Sequence, residues 1–197
     1  MQPGPLFYLM GASGVGKDSL LGYLRSHQVA DRPMVIPQRF ITRPASAGGE
    51  PHIALSTQAF LERLHAGGFA MHWQSHGFHY GIGIEIDQSL AMGYPVVING
   101  SRNYLETARS RYKNLCPVLV TASHDQLHQR LLSRGRESSR AIEQRLKRAE
   151  SLDAQLRDEQ LIRLSNDGPL EQSGQRLLDI IQHASELSSH HPVAATG

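Results

Sequence analysis

Nine residues near the start of the chain, Gly11-Ala12-Ser13-Gly14-Val15-Gly16-Lys17-Asp18-Ser19, carry the densest chemistry in the sequence. Their spacing is Gly-x-x-x-x-Gly-Lys, set between an apolar run at Leu6–Met10 and a helix-period stretch at Lys17–His27. Glycines so placed let successive backbone N–H groups turn inward on one anion, and the positive end of the following helix adds to the attraction. A lysine at that place reaches the β- and γ-phosphates of ATP as a point charge. In such loops a Ser or Thr directly after the lysine usually ligates magnesium, but here Asp18 holds that place and Ser19 follows. Either Asp18 serves the ion as a hard carboxylate ligand, or it complements the helix dipole while Ser19 serves the metal. The run Tyr94–Ile98 ends in Asn99, so no second metal carboxylate stands there.

Arginine is the other chemical signal. Of 20 basic residues, 17 are Arg and 3 are Lys. Between Arg102 and Arg148 there are 11 basic and 4 acidic residues, a local net of +7, against 9 basic and 14 acidic residues elsewhere. Arginine grips phosphate bidentately through a planar fork, whereas lysine is a mobile point charge. This distribution points to small anions held in place, and no diffuse basic surface for nucleic acid is needed to explain it.

The elements that must position these groups alternate in type. Strand-like runs occur at Leu6–Met10, Met34–Ile36, Tyr94–Ile98, Pro117–Thr121 and Leu161–Ser165. Helix-period stretches follow at Lys17–His27, Tyr104–Asn114, Asp125–Arg134, Ala141–Arg157 and Leu170–Glu186. That alternation predicts an α/β fold, three layers αβα, with a mostly parallel five-stranded sheet. Residues 39–92 break the pattern with Gly, His and aromatics and one helix at Thr57–Ala66, and read as an insert. The Arg-flanked polar break inside 134–148 reads as a small lid. Residues 1–186 then form a single domain, followed by a flexible tail at 187–197.

Composition limits the alternatives. With 40% hydrophobic and 19% charged residues in 197, the chain is neither disordered nor fibrous. A lone cysteine, Cys116, cannot form an internal disulfide, which fits a reducing, cytoplasmic compartment. No apolar run approaches the roughly 20 residues that span a bilayer, so no membrane partner is expected. His72, His76 and His79 do not share one helical face and have no cysteine nearby, so a zinc site is not expected.

With loop, insert and lid in view, the chain resembles the guanylate kinase-like branch of the P-loop nucleoside monophosphate kinases. Thr42-Arg43-Pro44 resembles the element that opens that branch's acceptor-binding insert, and Tyr80-Gly81 its Tyr-Gly pair. Leu127-x-x-Arg130-Leu131-x-x-Arg134-Gly135 with Arg145-Leu146 resembles its lid, and Asn166-Asp167 the turn beside the adenine. Three departures stand out: Ser46 replaces a second insert arginine, while Met71 and Asn99 stand where guanine-binding acids are expected. Leaving a purine edge unpaired in a buried site is costly. Several other stretches are similar to one family within this branch, the ribose 1,5-bisphosphate phosphokinases. They are Gly16-Lys17-Asp18-Ser19, Arg39-x-Ile41-Thr42-Arg43, Tyr80-Gly81-x-Gly83-x-Glu85-Ile86-Asp87 and Asn99-Gly100-Ser101-Arg102.

The resemblance implies transfer of the γ-phosphoryl of ATP, with magnesium, to the 1-phosphate of ribose 1,5-bisphosphate, giving 5-phosphoribosyl 1-diphosphate (PRPP), as in phosphonate degradation. It implies Lys17, Arg134 and Arg145 as catalytic residues, with Arg136 or Arg148 as substitutes. ATP would be held by Gly11, Ala12, Ser13, Gly14, Val15, Gly16, Lys17, Asp18, Ser19 and Asn166, and the metal by Asp18 or Ser19. Arg39, Arg43, Tyr80 and Arg102 would take the acceptor's phosphates, and Glu85 or Asp87 its ribose hydroxyls. Two other readings stay open: a kinase of a nucleoside monophosphate or another small phosphorylated acceptor, and a non-catalytic binding module. A monomer and a homodimer fit the sequence equally.

Overall fold

The computed structural model describes residues 2–28, 33–47, 51–133, 135, 138–156 and 160–189. Strands and helices alternate along them in the order β1 (Leu6–Met10), α1 (Lys17–Ser26), β2 (Phe40–Ile41), β3 (Ile53–Ala54), α2 (Thr57–His65), β4 (Phe69–Ser75), β5 (Phe78–Gly83) and α3 (Ile86–Ala91). Then come β6 (Val96–Asn99), α4 (Leu105–Arg111), β7 (Leu115–Thr121), α5 (His124–Ser133), α6 (Ser139–Gln155), β8 (Ile162–Ser165) and α7 (Leu170–Ser189).

The expected α/β architecture is present. Strands β6-β1-β7-β8 lie side by side, all parallel. All of β1 is buried, as a strand covered on both faces requires. Its alternation divides the core. Phe7 and Leu9 pack with Leu20 and Leu24 of α1 and Leu177 and Ile181 of α7. Leu6, Tyr8 and Met10 pack with Ile86 and Leu90 of α3 and Leu105 of α4. Each such fully buried side chain contributes roughly 1.5–3 kcal/mol.

The expected five-stranded sheet is corrected to four strands. Its fifth run, Met34–Ile36, makes a single parallel bridge from Val35 to Val96. The Val35 N–H donates to the Pro95 carbonyl and the Val97 N–H to the Val35 carbonyl, both at 2.9 Å. The next donors in a parallel ladder would be the N–H groups of residues 37 and 95. Both are proline, so the pairing stops there.

The insert forms its own sheet, in the order β3-β2-β5-β4, and packs Phe40 and Phe69 against Phe60 of α2. Ser56 caps α2, its hydroxyl oxygen accepting the Ala59 N–H at 3.1 Å. Positive φ at both His76 (49°) and Gly77 (78°) makes the tight β4–β5 turn. Ala70, Met71 and Ile82 of this sheet join the core beside α3 and α4. At the other end α7 continues through Ser189, three residues into the expected tail. No residue there opposes helix until Pro192. Among the described residues no helix is long and apolar enough to cross a membrane.

Candidate active site

The phosphate loop joins β1 to α1 with three glycines at positive φ: Gly11 at 147°, Gly14 at 102° and Gly16 at 97°. At Gly16 a Cβ would also fall 2.3 Å from Asn166 Nδ2, so only glycine fits. Lys17 Nζ donates to the carbonyls of Gly11 (2.8 Å) and Ala12 (3.0 Å), which ties its ammonium across the loop.

Two side chains brace the loop from behind. Asn166 Nδ2 donates to the Val15 carbonyl at 2.7 Å, and its Oδ1 accepts the Ser173 hydroxyl at 2.5 Å. Arg130 donates to the carbonyls of Val15 (3.3 Å) and Asn166 (2.8 Å). Asn166 is only 3% exposed, so the residue expected beside the nucleotide presses on the loop's rear. Its neighbour Asp167 accepts the Ser123 N–H and the Ser165 hydroxyl, each at 2.5 Å. These bonds, with the Ser123 N–H foremost, hold the Asp167 carboxyl below the usual carboxylate range.

On the open side, Asp18 and Ser19 are exposed in the first turn of α1. Asp18 Oδ1 accepts a hydrogen bond from Asn99 Nδ2 at 2.9 Å, across from the buried end of β6. Asp18, Arg39 and Asn99 line one shallow cleft that opens to solvent, with Arg25 of α1 also in its wall. A carboxylate and a hydroxyl on one helical turn are hard oxygen donors, the set that suits magnesium.

Of the acceptor candidates, Arg39 lines this cleft. Arg39 lies over the Tyr80 ring, 5.2 Å from its centroid, and donates to the Asn99 carbonyl at 3.3 Å. Tyr80 stacks in turn on Trp73, with centroids 5.7 Å apart and planes 3° from parallel. Arg43 is half-buried, and its Nε and Nη2 are buried without a hydrogen-bond partner among the described residues. A guanidinium in that state calls for an anion, since unmade hydrogen bonds to charged groups are the expensive ones.

Arg102 points elsewhere. Its loop is fixed by Tyr8, whose hydroxyl donates to the Ser101 carbonyl and accepts the Ser101 N–H, both at 2.9 Å. Burial pushes the Tyr8 hydroxyl pKa well up, which keeps the proton needed to do both. The Arg102 guanidinium then reaches α6, donating to the Ala149 carbonyl (3.3 Å) and to Asp153 Oδ1 (2.5 Å).

No family model matches the chain. A relative from Desulfomicrobium baculatum, named ribose 1,5-bisphosphate phosphokinase PhnN, is 48% identical over 176 residues, covering 89% of this chain and 93% of that protein. A relative of the same name from Thiobacillus denitrificans is 45% identical over 184 residues, 93% of this chain and 96% of the relative. The chain belongs to the ribose 1,5-bisphosphate phosphokinase family. Among solved structures, a guanylate kinase from Anaplasma phagocytophilum superposes with a TM-score of 0.66 at 16% identity, over 94% of this chain and 88% of that one. A gluconokinase from Sinorhizobium meliloti gives 0.51, also at 16% identity, over 97% of this chain and all of the other. At such identities the likeness is one of fold, that of guanylate kinase.

Family membership gives the departures from guanylate kinase a physical form. Met71 is 1% exposed and belongs to the core, so no carboxylate faces a base from that position. Asn99 spends its amide donor on Asp18. Of the two acids expected near a sugar, Glu85 is exposed, 3.5 Å from Arg63. Asp87 commits both oxygens, one to Arg111 (2.7 Å) and one to the Tyr112 hydroxyl (2.6 Å). Arg145 is half-buried on α6 and Arg148 exposed. Arg134 and Arg136 lie outside the described residues. Cys116 packs against the core, and burial pushes its thiol pKa up, away from a nucleophile's range.

Three roles escaped the sequence reading: those of Tyr8, of Asp153, and of Arg130, which was read only as part of the lid motif and braces the phosphate loop instead. For two of them a signal existed. A tyrosine inside an apolar central strand must satisfy its hydroxyl somewhere. Arg130 shares the inward face of α5 with Leu127 and Leu131, where a charge needs buried partners. For Asp153 there was none, because its partner lies 51 residues away.

Proposed function

We propose that this protein phosphorylates the 1-phosphate of ribose 1,5-bisphosphate with ATP, yielding PRPP and ADP. The observation that carries the reading is the match to relatives of that name along nearly the whole chain. An oxygen of the 1-phosphate attacks the γ-phosphorus, the new P–O bond forms, and the bond to the β–γ bridging oxygen breaks as ADP leaves. The attacking phosphate is already ionised near neutral pH, its second pKa being about 6, so no general base is required. Catalysis then rests on positioning and on charge neutralisation.

Lys17 and the loop amides hold the donor's phosphates, with Asn166 and Arg130 fixing the loop that does so. Arg39 and Arg43, with Tyr80 beneath Arg39, take the acceptor's phosphates, and Glu85 a ribose hydroxyl. Arg134 and Arg145, from the lid, neutralise the group in transfer. Magnesium, which would neutralise phosphate charge, fits the oxygen donors of Asp18 and Ser19. Without a cation there, the Asp18 carboxylate would repel the triphosphate. The lone half-buried thiol suits a cytoplasmic enzyme. Purified protein given ATP and ribose 1,5-bisphosphate should form PRPP in a coupled assay. Efficient turnover of GMP, with none of the sugar bisphosphate, would overturn the acceptor assignment.

A further inference from the structure

Two side chains meet where the central sheet hands over to the phosphate loop. Asn99 closes β6, is 5% exposed, and is held by its register with Leu9 of β1. From there Nδ2 donates to Asp18 Oδ1 at 2.9 Å. Asp18 lines the same cleft as Arg39. Phosphate-loop NTPases commonly divide metal duty between a neutral hydroxyl after the loop lysine and a carboxylate at a strand end. This chain has a carboxylate after the lysine and a neutral amide at the strand end. The same two places carry the same total charge in reversed order.

We propose that Asp18 and Asn99 form a charge-transposed metal pair, in which Asn99 is a positioning residue that aims the Asp18 carboxylate. The inference rests on the metal role given to Asp18 above. Carboxylates at both places would repel each other within hydrogen-bonding distance, and one would be driven to keep its proton. Two neutral groups would hold the cation that offsets the triphosphate's charge less firmly. An amide at residue 99 therefore permits the carboxylate at 18, and its N–H donor fixes which oxygen turns toward β6. The opposite oxygen is left to the cleft.

Manganese serves as the probe, its binding to the full-length protein with a non-hydrolysable ATP analogue followed by electron paramagnetic resonance. Asp18→Ser should weaken manganese binding at least tenfold, and Asn99→Ala by about tenfold, the usual cost of losing an outer-shell partner. The double variant Asp18→Ser/Asn99→Asp, which restores the common order, should recover most of the loss. Wild-type binding by Asn99→Ala, or a double variant no better than Asp18→Ser, would overturn the proposal. If Asn99→Ala proves unfolded by circular dichroism, the double variant alone decides. Because this measurement uses no acceptor, failure to make PRPP with the expected manganese pattern would refute only the acceptor assignment. Normal PRPP formation with unchanged manganese binding would refute only the transposed pair.

Discussion

Replacing Asn166 by alanine separates a residue that touches the nucleotide from one that shapes the loop holding it. The side chain is 3% exposed and makes two hydrogen bonds, 2.7 Å to Val15 and 2.5 Å from Ser173. Each is worth about 1 kcal/mol net, with a further cost for any partner left buried and unpaired. Val15 keeps a longer bond from Arg130 at 3.3 Å, and Ser173 keeps one to the Leu170 carbonyl at 3.3 Å, so neither partner is orphaned. The expected loss is therefore about 2–3 kcal/mol, or roughly 5–10 °C in melting temperature for a chain of this size. A lost adenine contact would raise the KM for ATP and leave pyrophosphate binding intact. A relaxed loop should instead weaken ATP, ADP and pyrophosphate by similar factors, because all three lose the same array of amides. Calorimetric titration with the three ligands, beside a thermal melt, reads both effects. Normal stability with a loss confined to adenine nucleotides would refute the bracing role.

Other sites give predictions of definite sign. Arg43→Met should raise the melting temperature, since it removes buried donors without partners, while raising the acceptor KM at least about tenfold through lost charge-assisted bonds; a lower melting temperature would show the guanidinium already satisfied. Asp153→Asn should free Arg102 from α6 and lower the acceptor KM by a few-fold in steady-state assays, the common size of a partly exposed ion pair; a higher KM would refute it. Asp167→Asn bears on acid stability. The folded carboxyl lies below its ordinary value of 3.8, so its contribution is complete above that value and fades as pH falls through the depressed one. Melts should place the variant below wild type near neutrality and converge with it in stronger acid; a constant gap would refute the linkage.

How much was legible beforehand follows from which interactions are local. The phosphate loop was readable because one strand, three glycines and one helix turn make it within 14 residues, Leu6–Ser19. The alternating core was equally plain, since Phe7 and Leu9 must part from Leu6, Tyr8 and Met10 on any strand. The fifth strand failed through its partner: Pro37 was visible beside Met34–Ile36, but the second missing donor, Pro95, belongs to the strand it would pair with. Side-chain commitments were the least legible. Arg102 and Asp87 read as free to meet a ligand, yet Asp153 and the Arg111–Tyr112 pair claim them across distances of 51 and about 25 residues. Composition counts charges without showing which are spent.

That distinction changes what the arginine excess means. Arg130 is consumed in holding the loop, Arg102 in holding α6 and Arg111 in holding α3. Arg63 lies over Phe40, 4.2 Å from the ring centroid, and bonds to Gly68 at 3.2 Å. Much of the basic surplus is therefore internal scaffolding, and among the described residues Arg43 is the guanidinium left with buried donors to offer. A planar fork suits both duties, because it can cap carbonyls in one place and grip phosphate in another. Lysine could do neither bidentately, which gives a physical reason for 17 arginines against 3 lysines. It also makes Arg102 the informative case: this arginine, three residues beyond β6, is held by a carboxylate on the helix that carries Arg145. A phosphate could meet Arg102 only by displacing Asp153, which is what the Asp153→Asn variant tests.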